Sequence, residues 1–329
     1  MKKKQSANMK DVAALSQVSI ATVSRFLNND LSRMSEETAK RVKDAIDKLN
    51  YVPNSAARQM VTKSSKMIAV VVANIDDYFS TELFKGISSI LESTGYIGVL
   101  FDTDTNQKRE IQLMDSVNSQ SFDGLIFQPL TSDMSLIENE IRREIPIVIV
   151  DREIELSPWP QVITNNYEAA RNAMLKFQTK GYKHVIILSS EINIASTRRE
   201  RYQGIKSVAN NVDVIEISEK SHNHKDIHKE IVSLIKKSDE KTLIFAIKER
   251  WLLEFIPGLM TDGYIDDMNV TATGFSDTDL ARAIEPKAEL IEQNPFLMGA
   301  SSAEVMMDLL NDDDAKKIPS KLIIPAKLK

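Results

Sequence analysis

The chain has 329 residues, with 42% hydrophobic and 27% charged side chains and a formal net charge of −5. That balance is of a globular chain, and the length predicts two domains with room for a small third module. No apolar run approaches the ~18 residues of a membrane helix, and no hydrophobic leader opens the chain, so no membrane partner and a cytoplasmic location are expected. The absence of cysteine excludes disulfides, thiolate metal sites and cysteine nucleophiles, and four histidines leave little scope for acid–base catalysis. Charge is unevenly placed: residues 1–63 carry twelve Lys/Arg against six Asp/Glu, a balance of +6 that leaves −11 on the remainder. A basic head on an acidic body points to a polyanionic partner. A solvated basic terminus would give the same asymmetry.

Asn8 is placed to cap a first helix, MKDVAALS, with Asp11 in its first turn and Val12 and Leu15 on one face. Gln17-Val18 reads as a tight turn, after which Ser19 caps a second helix running from Ile20 to about Asn28. Ser35 opens a third, with Glu36 and Glu37 in its first turn and Val42, Ile46 and Leu49 at i, i+4, i+7. Two helices joined by a short turn and braced by a third form a helix-turn-helix, whose second helix enters the DNA major groove. The second helix has the side chains for that role. Ile20, Ala21 and Thr22 are short enough for its first turn, and Arg25 can reach guanine O6 and N7 as a bidentate donor. Ser19, Ser24 and Thr22 suit phosphates, and Asn28 completes the set at the helix end. In a small helical bundle without DNA the same face would simply be solvated.

The stretch NYVPNSAARQM over 50–60 places a proline where the third helix must stop and another can start. The new helix is about two turns long, too short to stand alone in water, and Met60 has no evident core to enter. The segments DVAALSQVSIATVSRFLNN and SEETAKRVKDAIDKLNYVPNSAARQM, followed by a Rossmann-like body, closely resemble the lac/galactose repressor family over essentially the whole chain. The resemblance implies that residues 54–62 form a hinge helix that folds on the operator beside its dimer mate, with Asn54, Ala57 and Met60 meeting DNA. Met60 would then wedge into the minor groove at a central CG step. Gln17 departs from the family, which usually has glycine at that turn.

From Lys66 onward, apolar runs alternate with amphipathic stretches. MIAVVVA, YIGVLF, GLIFQP, IPIVIV, HVIILS, TLIFAI and NVTATGF read as strands, and STELFKGISSILEST, REIQLMDSVNS and NYEAARNAMLKFQTKG as helices. Continuous apolar strands separated by helices mean parallel sheets covered on both faces. The expected architecture is an all-α helix-turn-helix head (1–52), a hinge and linker (53–65), and an α/β body of two doubly wound, periplasmic-binding-protein-type lobes. The lobes are expected at 66–163 plus about 294–320, and at 164–290 plus about 321–329, with the return crossing near Glu292-Gln293 implied by the family.

Ligands of such folds bind beyond the carboxyl ends of the strands, here between the lobes. The candidates are Asp76 and Phe79 with the residues between them, Asp102-Thr103, Gln128 and Asp151-Arg152 from the first lobe. From the second come Asn165, Arg198, Arg201, Lys248 with the residues to Trp251, and Ser276-Asp277. The resemblance assigns to Arg201 the grip on effector hydroxyls or a carboxylate, and to Asp277 a place in the loop that closes the pocket. Phe79 or Trp251 could stack on a sugar ring. Taken singly, each is as readily a rim salt bridge or a core aromatic. The chain departs from the family in lacking proline before Tyr78-Phe79, in Ser276, and in AIKERW after the TLIFAI strand. Arg198, Arg201 and Lys248 together favour an anionic effector such as a sugar acid or sugar phosphate.

His222, His224 and His228 have a spacing that could hold zinc, but the stretch reads better as a solvated helix start, and Asn311-Asp312-Asp313-Asp314 lacks the spaced ligands of a calcium loop. No metal, cofactor or enzymatic activity is expected, since no phosphate-cradle or nucleophile-elbow motif appears. The sequence therefore reads as a dimeric repressor on a pseudo-palindromic operator, controlled by an effector in the cleft; without a heptad tail, a dimer is expected rather than a tetramer. A sugar-binding protein without a regulatory role and an enzyme on the Rossmann-like body are the alternatives.

Overall fold

The computed structural model describes residues 7–28, 30–32, 34–52, 64–131, 133–142, 144–284, 286, 288–311 and 318–329. They fall into two units, Met1–Ser65 and Lys66–Lys329. The expected hinge residues Asn54, Ala57 and Met60, and the acidic run Asp312, Asp313 and Asp314, lie outside the described residues.

The first unit contains α1 (Met9–Ser16), α2 (Ile20–Leu27) and α3 (Glu36–Leu49). Local chemistry sets each start. The Asn8 side chain accepts from the Lys10 and Asp11 amides at 2.9 and 3.3 Å while Asp11 accepts from the Asn8 amide at 2.8 Å, a reciprocal cap. Ser19 and Ser35 accept from the amides of Thr22 and Thr38 at 3.1 and 3.2 Å. Gln17 ends α1 in the left-handed region (φ 55°), so the turn is made without glycine at a steric cost. Val12, Ala13, Val23, Val42, Ala45 and Tyr51 form the core, with Val18, Leu27, Ile46 and Leu49 at its edge. Leu15, expected beside Val12, is instead 43% exposed, because the buried stripe of α1 runs through Val12, Ala13 and Ser16.

In the second unit the order is β1 (Met67–Val72), α4 (Tyr78–Ser93), β2 (Ile97–Asp102), α5 (Gln107–Ser119), β3 (Gly124–Phe127), α6 (Met134–Glu140), β4 (Ile147–Asp151) and β5 (Gln161–Thr164). The chain continues with α7 (Asn166–Thr179), β6 (His184–Ser189), α8 (Ser196–Lys206), β7 (Asn211–Glu216), α9 (His224–Lys237), β8 (Thr242–Ala246), α10 (Glu249–Thr261), β9 (Val270–Gly274) and α11 (Asp279–Ile284). It closes with β10 (Ile291–Glu292), α12 (Pro295–Leu310), β11 (Lys321–Ile324) and β12 (Lys327–Leu328). One parallel sheet runs β11–β5–β4–β3–β1–β2 and the other β7–β6–β8–β9, while β10 and β12 pair antiparallel. Strand order reverses beside β1 in the first sheet and beside β6 in the second, which opens a crevice at the carboxyl edge of each.

Five strands lie outside the sequence expectation: β5, β7 and the short β10, β11 and β12. β5 is four residues with polar ends, and β7 is a half-exposed edge, so neither shows a continuous apolar run. The expected assignment of 321–329 to the second lobe needs correction. Lys321–Ile324 pairs in parallel with Gln161–Thr164 and covers the open edge of the first sheet; residues 326–329 do reach the second lobe, Ala326 in its core, Lys327–Leu328 against β10 and Lys329 bonded to the Leu290 backbone. The preceding helix α12 is held tightly to α4. A Cβ on Gly86 would stand 2.0 Å from the Phe296 carbonyl oxygen, and one on Gly299 2.0 Å from that of Leu83, so only glycine permits this approach. Three connections pass between the lobes, at 164–166, 292–295 and 324–327.

Candidate functional site

Two surfaces carry the chemistry. On α2, Ser19, Ile20, Ala21, Arg25 and Asn28 are exposed, and Thr22 and Ser24 are half-buried. Val23 anchors the helix from beneath. Besides the Ser19 cap, the one polar contact between side chains on its leading turn is Ser19 Oγ with Thr22 Oγ1 at 2.9 Å, among the described residues. The helix thus offers a row of short side chains and one guanidinium whose hydrogen-bonding groups face water.

The second surface is a cavity of about 60 Å³ between the two sheets. Phe79, Gln128, Asp151, Arg198, Arg201, Lys248 and Asp277 line it, together with Asp77, Arg152, Thr197, Glu249, Phe275 and Gln293. Its volume holds a few waters, well short of the ~300 Å³ at which small-ligand sites begin. Its polar groups are bonded to one another. Gln128 Nε2 donates to Asp151 at 2.7 Å, and its oxygen accepts from the Ala73 amide at 2.8 Å, fixing the ends of β1, β3 and β4 together. Burial pushes the Asp151 carboxyl up, against the pull of Arg152, Arg201 and the Gln128 amide. Lys248 bridges the lobes by pairing with Asp77 at 3.0 Å. Glu249 accepts from Ser276 Oγ at 2.6 Å and the Thr278 amide at 3.1 Å, which folds the loop after β9 onto α10.

Arg201 is the most heavily bonded member. Its Nε donates to Asn166 at 2.8 Å, Nη1 to the Ile247 carbonyl at 2.7 Å and Nη2 to Gln293 at 2.5 Å, with the guanidinium carbon 3.7 Å from the Phe275 ring centroid. Burial lowers it to about 10, with Asp151 and Asp277 opposing. Asp277 receives the Gln293 amide at 2.5 Å, the Gln293 side chain at 2.7 Å and the Asn294 amide at 3.1 Å, yet burial still pushes it up to about 6. Asn166 and Gln293 stand on two of the inter-lobe connections, so Arg201 ties those connections to each other as well as lining the cavity.

Arg152 differs from its neighbours. It is 9% exposed; Nη1 donates to the Pro129 carbonyl at 3.0 Å, but the buried Nε has no hydrogen-bond partner among the described residues. A planar anion set beside it would complete the guanidinium.

Four expected contacts fall elsewhere. Trp251 is fully buried in the second-lobe core, its indole N–H donating to Ser190 Oγ at 3.2 Å, because α10 turns it under the sheet rather than toward the cleft. Asp76 is exposed beside the cavity; its neighbour Asp77 points in. Asp102 holds the Ile75 amide at 3.1 Å and Asp104 amide at 3.1 Å, shaping the loop after β1. Asn165 accepts from the Ala326 amide at 2.7 Å and joins the first inter-lobe connection to the third. Thr197, Phe275 and Gln293 were not nominated as cavity residues from the sequence, which placed Gln293 only at the return crossing, because only tertiary contacts bring a connecting residue under Arg201. The histidines also differ from a solvated helix start: His222 pairs with Glu254 at 2.5 Å and His228 with Asp262 at 3.0 Å, clamping α9 to α10. No three metal-ligating side chains converge among the described residues, and no described helix is long and apolar enough to cross a membrane.

Residues 8–54 match the family described as bacterial regulatory proteins, lacI family, and residues 68–314 match a periplasmic binding protein domain. The chain belongs to the LacI family. A crystal structure of a LacI transcriptional regulator from Lactobacillus brevis is 54% identical, covers 80% of this chain and 99% of that one, and superposes with a TM-score of 0.76. Among curated relatives, the HTH-type transcriptional regulator KdgR of Bacillus subtilis (strain 168) is 29% identical over 100% of this chain and 98% of its own. The ribose operon repressor of Halalkalibacterium halodurans is 27% identical over 96% of this chain and 95% of its own. This LacI-family chain is therefore a transcriptional regulator with a DNA-binding helix-turn-helix, not an enzyme.

Proposed function

We propose that this regulator represses carbohydrate or sugar-acid utilisation genes as a homodimer on a pseudo-palindromic operator, under the control of an anionic sugar derivative bound between its lobes. Ser19, Ile20, Ala21, Thr22, Ser24, Arg25 and Asn28 read each half-site, and Asn54, Ala57 and Met60 meet the operator centre. A twofold dimer presents two such helices to a site with matching symmetry. In the cleft, Phe79, Gln128, Asp151, Arg198, Arg201, Lys248 and Asp277 surround the effector, and the related ribose operon repressor supports a carbohydrate. The observation that carries the anionic character is the buried Arg152 Nε without a partner. An unpaired buried donor is costly, and a carboxylate or phosphate oxygen relieves that cost. Entry of such a ligand must spread a cavity of about 60 Å³, and because Lys248 and Asp77 join the lobes, spreading changes their relative angle. That angle is the two-state element through which effector and operator affinities are linked reciprocally.

The test is selection of the full-length protein from a random duplex library, followed by salt titration on the selected site. The expected result is a palindrome with a central CG step, held over random DNA by about 10³ or more. Enrichment of no motif, with or without sugar acids and sugar phosphates present, would overturn the operator reading.

A further inference from the structure

The cations of the cleft are unequally committed, and the residue responsible lies outside the cavity wall. Glu219, on the loop between β7 and α9, has a side chain only 9% exposed. Its Oε1 accepts from Arg198 Nη2 at 2.6 Å and from Lys248 Nζ at 3.2 Å. Burial would push this carboxyl up, but Lys248 and Arg198 outweigh burial and hold it at about 2, so it stays ionised. Lys248 is further engaged by Asp77, and Arg201 by Asn166, Ile247 and Gln293. Arg152 has Asp151 nearby but no hydrogen-bonded carboxylate among the described residues: its hydrogen bond goes to a neutral carbonyl, and its Nε has no hydrogen-bond partner there.

We propose that Glu219 sets the charge specificity of the cleft: by neutralising Arg198 and Lys248 from behind, it restricts the effector to one negative charge, a sugar monocarboxylate rather than a sugar phosphate. The inference rests on the reading of the cleft as a site for an anionic sugar derivative. A carboxylate is planar, and its two oxygens match the Nε–Nη2 edge of Arg152, since Nη1 is turned to Pro129. A phosphate monoester carries about −1.5 to −2 at neutral pH. Its second charge would have to take Arg198 or Lys248 from Glu219, leaving a buried carboxylate beside a buried dianion. Asp77, Asp151, Glu249 and Asp277 line the same cavity and add to that repulsion.

The experiment measures thermal shift and calorimetric affinity of the full chain and of its Glu219→Gln variant. The probes are aldonates and uronates of five and six carbons, aldose monophosphates of the same carbon numbers, and the neutral aldoses. Gln keeps the shape and an oxygen able to accept from Arg198 and Lys248 while removing the charge. The wild type is expected to bind at least one monocarboxylate and to disfavour the monophosphates by about tenfold or more. Glu219→Gln should recover about tenfold toward a monophosphate, and Glu219→Asp, with its carboxylate drawn back by one methylene, should move the same way by less. A residue needed only for folding would lower affinity for all probes alike and leave the ratio unchanged. A wild type that prefers a monophosphate, or a folded Glu219→Gln with the wild-type ratio, would overturn the role of Glu219 and leave the anionic reading intact. Binding of neutral aldoses alone would overturn that reading, and this inference with it.

Discussion

The reading face of α2 and the cleft between the lobes are both polar surfaces, yet they are prepared in opposite ways. On α2 the side chains proposed to read the operator stand in water with almost no partners, so DNA docked there would replace solvent and little protein structure would be given up. In the cleft nearly every polar group already has a protein partner, and a ligand must compete with Gln128–Asp151, Lys248–Asp77 and Arg201–Gln293. The open face suits recognition by many weak additive contacts. The paired cleft suits a switch, because the proposed binding there would rearrange bonds that span both lobes.

The sharpest way to separate the two regions is to destroy one. Val23→Asp places a charge in the small core of the first unit and should unfold that unit at a cost of about 3–5 kcal/mol. Mobility-shift assays should then show no specific complex, while the thermal response of the second unit to its ligand persists. Loss of both would mean that the units do not behave separately. Arg152→Gln probes the exception within the cleft. Removing a charge-assisted contact of about 1.5–3 kcal/mol should weaken sugar-acid binding by roughly 10- to 100-fold by calorimetry. Thermal stability should hold or rise, because an unpaired buried donor is removed with it.

Arg25→Ala should act only on the open face. Repeating the library selection should show preference relaxed at one symmetric operator position by about 1–3 kcal/mol, with ligand affinity untouched. A smaller effect belongs to the turn that aims α2. Gln17→Gly relieves the left-handed backbone at φ 55° and should raise the denaturation midpoint of the first unit by the equivalent of about 0.5–1 kcal/mol. A lower midpoint would show that the flexibility gained by the unfolded chain outweighs the relief.

The last effect is a slope against pH at Glu200, on the flank of α8 away from the cavity. Burial, with Glu153 opposite it, pushes this carboxyl from 4.5 up to about 7. A raised carboxyl favours the folded state fully below its unfolded pKa and loses that contribution as pH rises toward its folded one. Between pH 4.5 and 7, Glu200→Gln should therefore lose stability less steeply than the wild type, and above pH 7 it should be the more stable protein. Melting curves across that window compare the two directly; parallel slopes would remove Glu200 from the account.

What the sequence by itself determined is whatever depends on near neighbours. The helix caps Asn8, Ser19 and Ser35 act within three residues, and the row Ile20, Ala21, Thr22 and Arg25 follows from helical period alone. Continuous apolar runs likewise marked β1, β3, β4, β6 and β8, because a strand buried on both faces has little choice of composition. The position just after a strand was enough to nominate Gln128, Asp151, Arg198 and Lys248 as cavity residues. It could not separate Asp76 from Asp77, since one residue of rotation decides which side chain points inward. Tertiary structure alone decided that Trp251 packs under the sheet, that Lys321–Ile324 closes the first sheet, and that Gln293 and Glu219 govern the bonding of Arg201, Arg198 and Lys248. Those outcomes depend on groups between roughly 20 and 160 positions apart in the chain, whose meeting is set by sheet order and loop path and leaves no periodic trace in the sequence.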